Sequence, residues 1–383
     1  MAKSYLGQDV FSKALDRLMK CYSEGHRMII SFSGGKDSGV LFELAYLAAE
    51  ATGNLPVEVV MRDDEIMYPG TFEYAERIAR RPNVNFHWIS ARQGQINIFN
   101  RENPFFWVFD PYLDPSQWVR EPPYDLIEWD LENTDMYTMV NPTKYEPPPK
   151  KKTVSVVGIR TQESQNRNFA ILSSRGSRSY ASKDKRMFML YPIYDWTTGD
   201  IWKAINDNKW DYNEAYDVLM KMGVAPDKQR IALIAMTTMG IDNLQLAAKA
   251  WPRWFDKVCT RLPGVHSVVS YGDKALLPIR KYDETWEVCF KRTCITTAPE
   301  WIRKRSVYAM ETLLNKHASH SRQPFPEVEV CKLCKASWKK LAEALYTGDP
   351  FKVKFPWLPN AEPSDFRPED KRRWPKSHLR KRN

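Results

Sequence analysis

No apolar run in the 383 residues reaches membrane-spanning length. The stretch from Met1 to Gln8 also lacks the apolar centre of a signal peptide. These two absences point to a soluble, cytoplasmic protein without a membrane partner. Cysteine is scarce, with six in the whole chain, which excludes a disulfide scaffold. There is no internal repeat. A Walker A loop is missing as well, because nothing has the four-residue spacing between a glycine and a Gly-Lys pair that it needs. Charge of one sign is in excess: the formal net charge is +10, partly in local clusters, which favours polyanionic partners such as nucleotides or nucleic acid.

Against those absences stands one stretch around which the chain is organised. Met28 to Phe32 is a short apolar run suited to a buried strand, and Val40, Leu41, Leu44, Leu47 and Ala48 repeat at helical spacing. Between them lie Ser33, Gly34, Gly35, Lys36, Asp37 and Ser38. A strand, a glycine turn and a helix N-terminus present unpaired N–H groups and partial positive charge to an anion. Gly34 and Gly35 let the backbone approach phosphate oxygens, Lys36 adds a full charge, and Ser33 and Ser38 add hydroxyl donors. Asp37 is suited to orienting the lysine or to holding Mg²⁺ through water.

Strands expected at Val57–Met61, Val84–Ile89, Thr153–Gly158 and Met187–Tyr191 alternate with helices, the pattern of a parallel sheet covered on both faces. Ligands of such sheets sit at the carboxyl ends of the strands, where Ser33, Asp63 and Ser90 fall. The strand Thr153–Gly158 delivers a second turn, Gly158-Ile-Arg160-Thr-Gln-Glu163-Ser164-Gln-Asn-Arg167. Arg160 and Arg167 offer forked donors to phosphate or sulfate, and Glu163 can hold one guanidinium in place. Residues 100–152, rich in aromatics and proline, are expected to be an insertion with little regular structure that covers a sheet edge or serves as a lid or partner surface. Residues 171–186 are expected to form a loop, either plainly solvated or closing over a polyanion. Thr198 is expected to cap the next helix. Beyond Tyr212 the chain reads as helices at 213–222, 227–239, 243–261, 299–317 and 336–346. The basic end from Arg367 to Arg382 is read as a solubilising tail or as a nucleic-acid or acidic-partner contact. The division expected is 1–225, 226–365 and a tail at 366–383.

Cys331-Lys-Leu-Cys334 has metal-ligand spacing, and Cys289 and Cys294 form a looser pair upstream. Four such thiolates suit Zn²⁺ or an iron–sulfur cluster. Reduced structural cysteines or redox chemistry are the alternatives.

The Ser33–Ser38 stretch resembles the PP-loop of the ATP pyrophosphatases. That superfamily includes phosphoadenylyl-sulfate (PAPS) reductases, the ATP sulfurylase small subunit, tRNA thiolation enzymes and DNA phosphorothioation proteins. Gly158, Arg160 and the Glu163-Ser164 pair resemble the second signature of the first two, and Pro192 to Trp202 is similar to the family too. The resemblance spans roughly residues 27–224. It implies an α/β fold, a Rossmann-like parallel sheet of the adenine nucleotide alpha-hydrolase type, followed by a mainly helical C-terminal region. The layout is most similar to co-activators of prophage gene expression and, less closely, to phosphorothioation proteins. The nucleotide-binding set implied is Ser31, Ser33, Gly34, Gly35, Lys36, Asp37, Ser38, Asp63, Gly158, Arg160, Glu163, Ser164 and Arg167, with Lys36, Asp37 and Arg160 catalytic. Asp63 would lie near the adenosine, and Arg160 and Arg167 would meet the transferred group. ATP, PAPS or adenylyl sulfate with Mg²⁺ would be the ligands.

The expected activity is cleavage of ATP at the α-phosphate, adenylating an acceptor such as nucleic acid and releasing pyrophosphate. Sulfonucleotide reduction is the second expectation, although the Cys-Gly pair that PAPS reductases use is absent. A nucleotide-sensing regulator with a protein or DNA partner is the third.

Overall fold

Strand β1 (Arg27–Ser31) alternates its apolar side chains between two buried clusters: Met28 and Ile30 join one, Ile29 the other. Strand β2 (Val57–Arg62) does the same, with Val57, Val59 and Met61 on the first side and Val60 on the second. Burial on both faces is the mark of a parallel sheet between covering layers. In this computed structural model, residues 7–91, 94–130, 140, 144–163, 171, 178–180, 186–231 and 236–367 are described.

The remaining strands are β3 (Val84–Ala91), β4 (Gly94–Ile96), β5 (Phe105–Trp107), β6 (Ile127–Asp130), β7 (Thr153–Val157), β8 (Arg178–Tyr180) and β9 (Met187–Leu190). Seven of the nine strands form one sheet in the order β6-β3-β2-β1-β7-β9-β8. Only the β8–β9 pairing at the edge is antiparallel. From β1 the chain builds outward through β2 and β3 on one side, then returns to lay β7 on the other. The strand order therefore reverses between β1 and β7, and the loops leaving those two strands diverge and open a crevice.

Helix α1 (Val10–Ser23) begins at Asp9, whose carboxylate accepts from the Ser12 N–H at 2.9 Å. Helix α2 (Lys36–Ala51) buries Val40, Leu41, Leu44, Ala45 and Ala48 in the first cluster. Each Leu or Val buried there contributes about 1.5–3 kcal/mol. Helix α3 (Thr71–Ala79) starts after Gly70, held at φ 93°. The helix Thr198–Asn208 is capped by Thr197, one residue before the position expected: the Thr197 hydroxyl accepts from the Asp200 N–H, and the Asp200 carboxylate accepts from the Thr197 N–H.

The chain divides into two units, residues 1–92 with 121–233, and residues 93–120 with 234–383. The first holds the seven-stranded sheet. The second is mainly helical, with the small antiparallel β4–β5 pair added. Its core gathers Phe290, Leu313, Trp338, Leu341, Leu345 and Phe355. Buried Arg305 there donates to the carbonyls of Gly348, Asp349 and Pro359 at 2.7–2.8 Å, tying the turn after Leu345 to the long helix Glu300–Ala318.

Three expectations need correction. Residues 100–152 are not one irregular insertion: Ile127–Asp130 is a parallel edge strand of the main sheet, and 105–107 pairs with 94–96 in the other unit. No helix runs over 227–239 among the described residues; a turn at 226–228 and a short 3-10 helix at Thr238–Gly240 stand there. The helix expected over 243–261 is two helices, Ile241–Ala250 and Pro252–Arg261, because Pro252 has no N–H with which to continue the first. Among the described residues no helix is long and apolar enough to cross a membrane. Residues 172–177, 181–185 and 368–383, parts of the expected loop and most of the basic tail, lie outside the described residues.

Candidate nucleotide site

At the crevice between β1 and β7 lies a cavity of about 550 Å³, walled by Ser31 to Ser33, by Gly35 to Ser38, by Val157 to Ile159 and by Glu163. Tyr216, Gln229, Arg230 and Ile231 complete it. The loop after β1 is folded on itself by Ser38. Its hydroxyl lies 3.0 Å from the Ser33 hydroxyl, accepts from the Ser33 N–H and donates to the Gly35 carbonyl at 2.9 Å. Gly34 has φ 73°, the left-handed region, and a Cβ there would stand 2.5 Å from the Thr71 Cγ2. Both the backbone and the space therefore require glycine. At Gly158 the backbone torsion is ordinary, but a Cβ would meet the Asp37 carbonyl carbon at 3.2 Å and the Ser38 nitrogen at 3.3 Å. Glycine in the second turn thus lets it press against the first.

Lys36 is only 2% exposed and lines the cavity. Nζ donates to the Gln229 carbonyl at 3.2 Å, lies 3.6 Å from the Asp37 carboxylate and sits 5.0 Å from the centre of the Tyr216 ring. Burial pushes its pKa down; Asp37 pulls the other way, and Arg160 and Arg230 add to the lowering. The lysine is held short of full compensation, the electrostatic condition for receiving an anion.

Arg160 is 1% exposed and does not wall the cavity. Its Nε donates to the Asp37 carboxylate, one terminal nitrogen lies 3.3 Å from the Gln162 and Thr198 side-chain oxygens, and the other lies 3.7 Å from Glu163. Arg160 thus joins the two turns by gripping Asp37. Asp63 stands at the end of β2 as expected but is buried, accepting from the Trp88 indole and the Glu65 N–H at 2.8 Å each, and is not among the cavity walls. Ser164 and Arg167 lie outside the described residues.

Four wall or support residues carried no signal in the sequence. The Tyr216 hydroxyl accepts from the Lys36 N–H at 2.9 Å. Asn213, fully buried, donates to the Gly34 carbonyl at 3.0 Å and to Thr71 at 2.8 Å. Gln229 offers its carbonyl to Lys36, and Arg230 lines the mouth. They stand roughly 180 residues further along the chain from the loop they serve, and no local period marks them.

The cysteines divide. The structure does not bring Cys289 and Cys294 to the Cys331–Cys334 pair, and it places His317 and His320 there instead. The Cys289 sulfur faces the Ile279 carbonyl and the Cys294 sulfur the Ala342 carbonyl, both in buried positions. Burial pushes the Cys294 thiol up to about 12.

A parallel sheet whose order reverses beside a glycine turn, with a lysine on the wall of the resulting cavity, defines a nucleotide-binding α/β domain. Residues 27–221 match the family model described as phosphoadenosine phosphosulfate reductase domain, and the chain belongs to that family. The chain is 26% identical over 243 residues to the uncharacterized protein YbdN of Escherichia coli, covering 58% of each. It is 24% identical over 200 residues to the uncharacterized protein MJ0973 of Methanocaldococcus jannaschii, covering 51% of this chain and 40% of that one. The chain thus spans about half the length of the curated relatives it matches. Among solved structures, Candida glabrata FMN adenylyltransferase aligns at 13% identity over 56% of this chain and 62% of its own, with a TM-score of 0.34. The PAPS reductase of Candida auris, in a phosphate complex, aligns at 12% identity over 57% and 94%, with a TM-score of 0.30.

Proposed function

We propose that the chain binds ATP with its phosphates in the Lys36 cavity and transfers the adenylyl group to an acceptor. The observation that carries this reading is the lysine itself, desolvated on the wall of a cavity at the sheet's reversal point. An acceptor oxygen attacks the α-phosphorus and the bond to the bridging oxygen breaks. Pyrophosphate leaves with that electron pair, and the acceptor's proton passes to solvent. Lys36 stabilises charge on the departing pyrophosphate, the backbone N–H groups at the start of α2 hold its oxygens, and Arg160 keeps Asp37 in place. Asp37 is the carboxylate suited to Mg²⁺: it walls the cavity and keeps acceptor capacity beyond Arg160, whereas Asp63 is engaged by Trp88 and Glu65. When bound, Mg²⁺ supplies further neutralisation of the phosphates.

Nucleic acid is the acceptor class we favour, supported by the formal net charge of +10. The family membership favours a second ligand, a sulfonucleotide, for the same cavity. No cysteine walls it among the described residues, so a reduction there lacks its nucleophile.

Incubation with α-labelled ATP, Mg²⁺ and single-stranded or duplex nucleic acid tests the reading. Labelled AMP or an adenylated acceptor with pyrophosphate is expected. Nucleotide binding without either product would favour a nucleotide-sensing regulator. Turnover of PAPS that is lost in Cys331→Ser would favour the reductase.

A further inference from the structure

The second unit carries a set of side chains that the nucleotide chemistry does not use. His317 sits in the last turn of the helix Glu300–Ala318 and His320 just beyond it. Cys331 and Cys334 sit on the turn that leads into the helix Trp338–Leu345. One ligand atom from each of the four lies within 4.8 Å of all the others. The Cys331 sulfur is 3.6 Å from His320 Nε2, and the Cys334 sulfur is 3.7 Å from His317 Nδ1. A tetrahedral zinc with Zn–S near 2.3 Å and Zn–N near 2.0–2.1 Å would place neighbouring sulfur and nitrogen ligands about 3.5–3.6 Å apart.

Two further observations point the same way. His317 Nε2 lies 3.1 Å from the Gln323 carbonyl, which can only accept. With that nitrogen donating to the carbonyl, Nδ1 is the ring nitrogen left to face Cys334 as a ligand. A histidine ligand fixed by a carbonyl on its other nitrogen is the usual outer-shell arrangement of metal sites. The cysteine turn is tight: the Cys331 N–H donates to the Ala336 carbonyl at 3.0 Å, the Lys335 N–H donates to the Cys331 carbonyl at 2.9 Å, and Lys335 adopts φ 62°. This turn aims the N–H groups of Leu333 and Cys334 at the Cys331 sulfur, fixing where it points.

We propose that His317, His320, Cys331 and Cys334 form a closed, structural Zn²⁺ site that fastens the end of the long helix to the cysteine turn. Four protein ligands leave no open position for a substrate, as in structural rather than catalytic zinc. A two-iron cluster would seat the histidine pair and the cysteine pair on separate irons. Here each cysteine lies beside a histidine, and all four atoms surround one point. The site shares no residue with the Lys36 cavity, so it stands or falls independently of the proposed reaction.

The full chain, purified without metal-chelating resin, should contain one zinc per molecule by elemental mass spectrometry. His320→Ala and Cys331→Ser should each lower that content at least tenfold, while Cys259→Ser and Cys289→Ser should leave it unchanged. Zinc stripped by a chelator and replaced by Co²⁺ should give the visible bands of a tetrahedral site with two thiolates, a reading that needs no variant to fold. Full zinc in His320→Ala, an octahedral Co²⁺ spectrum, an iron–sulfur chromophore, or a Cys331–Cys334 disulfide in metal-free native protein would each overturn the proposal.

Discussion

Lys36, the lysine proposed to meet the phosphates, is a buried charge. Its charge is desolvated and balanced by one carboxylate that Arg160 also claims. Replacing it by Met, of similar volume, should leave the nucleotide-free protein as stable or up to about 2 kcal/mol more stable in urea titration, because a poorly compensated buried charge is gone. The same Lys36→Met variant should lose roughly 10²–10³-fold in the rate of pyrophosphate release. The pH dependence follows from the sign of the shift. Folding lowers the lysine's proton affinity, so between its folded value and 10.5 the unfolded chain holds more protons. The lysine's share of stability therefore rises with pH across that window, and Lys36→Met should remove the rise. At this scale the loop was legible: glycine, lysine and serine types declare anion chemistry wherever a strand runs into a helix. The Asn213 and Tyr216 supports were not, since a buried asparagine or tyrosine looks like any other until its partner across the fold is known.

At the scale of elements, the two turns after β1 and β7 behave as one part. Gly158 permits the approach, and the Arg160–Asp37 pair closes it. Arg160→Met alone should cost about 1–3 kcal/mol, because it removes the guanidinium hydrogen bond to Asp37 and leaves that carboxylate only the 3.6 Å contact with Lys36. Adding Asp37→Asn should recover part of that loss, giving a coupling of about 1–3 kcal/mol in a double-mutant cycle measured by chemical denaturation. A coupling near zero would mean that the pair is incidental to the junction. Apolar alternation announced the central strands, but β6 was hidden. Ile127–Asp130 is four residues long, surrounded by prolines and aromatics, and its place beside β3 is set by a non-local pairing.

For the whole molecule, charge is the distributed quantity. Residues 368–383 hold seven Lys or Arg against two acidic residues, about half of the excess of +10. Ending the chain after Arg367 should lower the slope of log affinity for single-stranded DNA against log salt by about 3–5, measured by fluorescence anisotropy. The same truncation should leave ATP affinity unchanged by calorimetry, since the described walls of the cavity all lie between Ser31 and Ile231. An unaltered slope would remove the tail from nucleic-acid contact.

Local chemistry and short-range period were sufficient for the α/β class, the loop around Lys36 and the second turn at Gly158, because each is a contiguous run whose residue types constrain its own backbone. The walls drawn from Tyr216 and from Gln229 to Ile231, the burial of Arg160 and Asp63, and the grouping of Cys331 and Cys334 with His317 and His320 rather than with Cys289 and Cys294 were decided only in three dimensions. Those partners are chosen by which surfaces the sheet and helices bury against one another, and spacing along a chain carries no record of that choice.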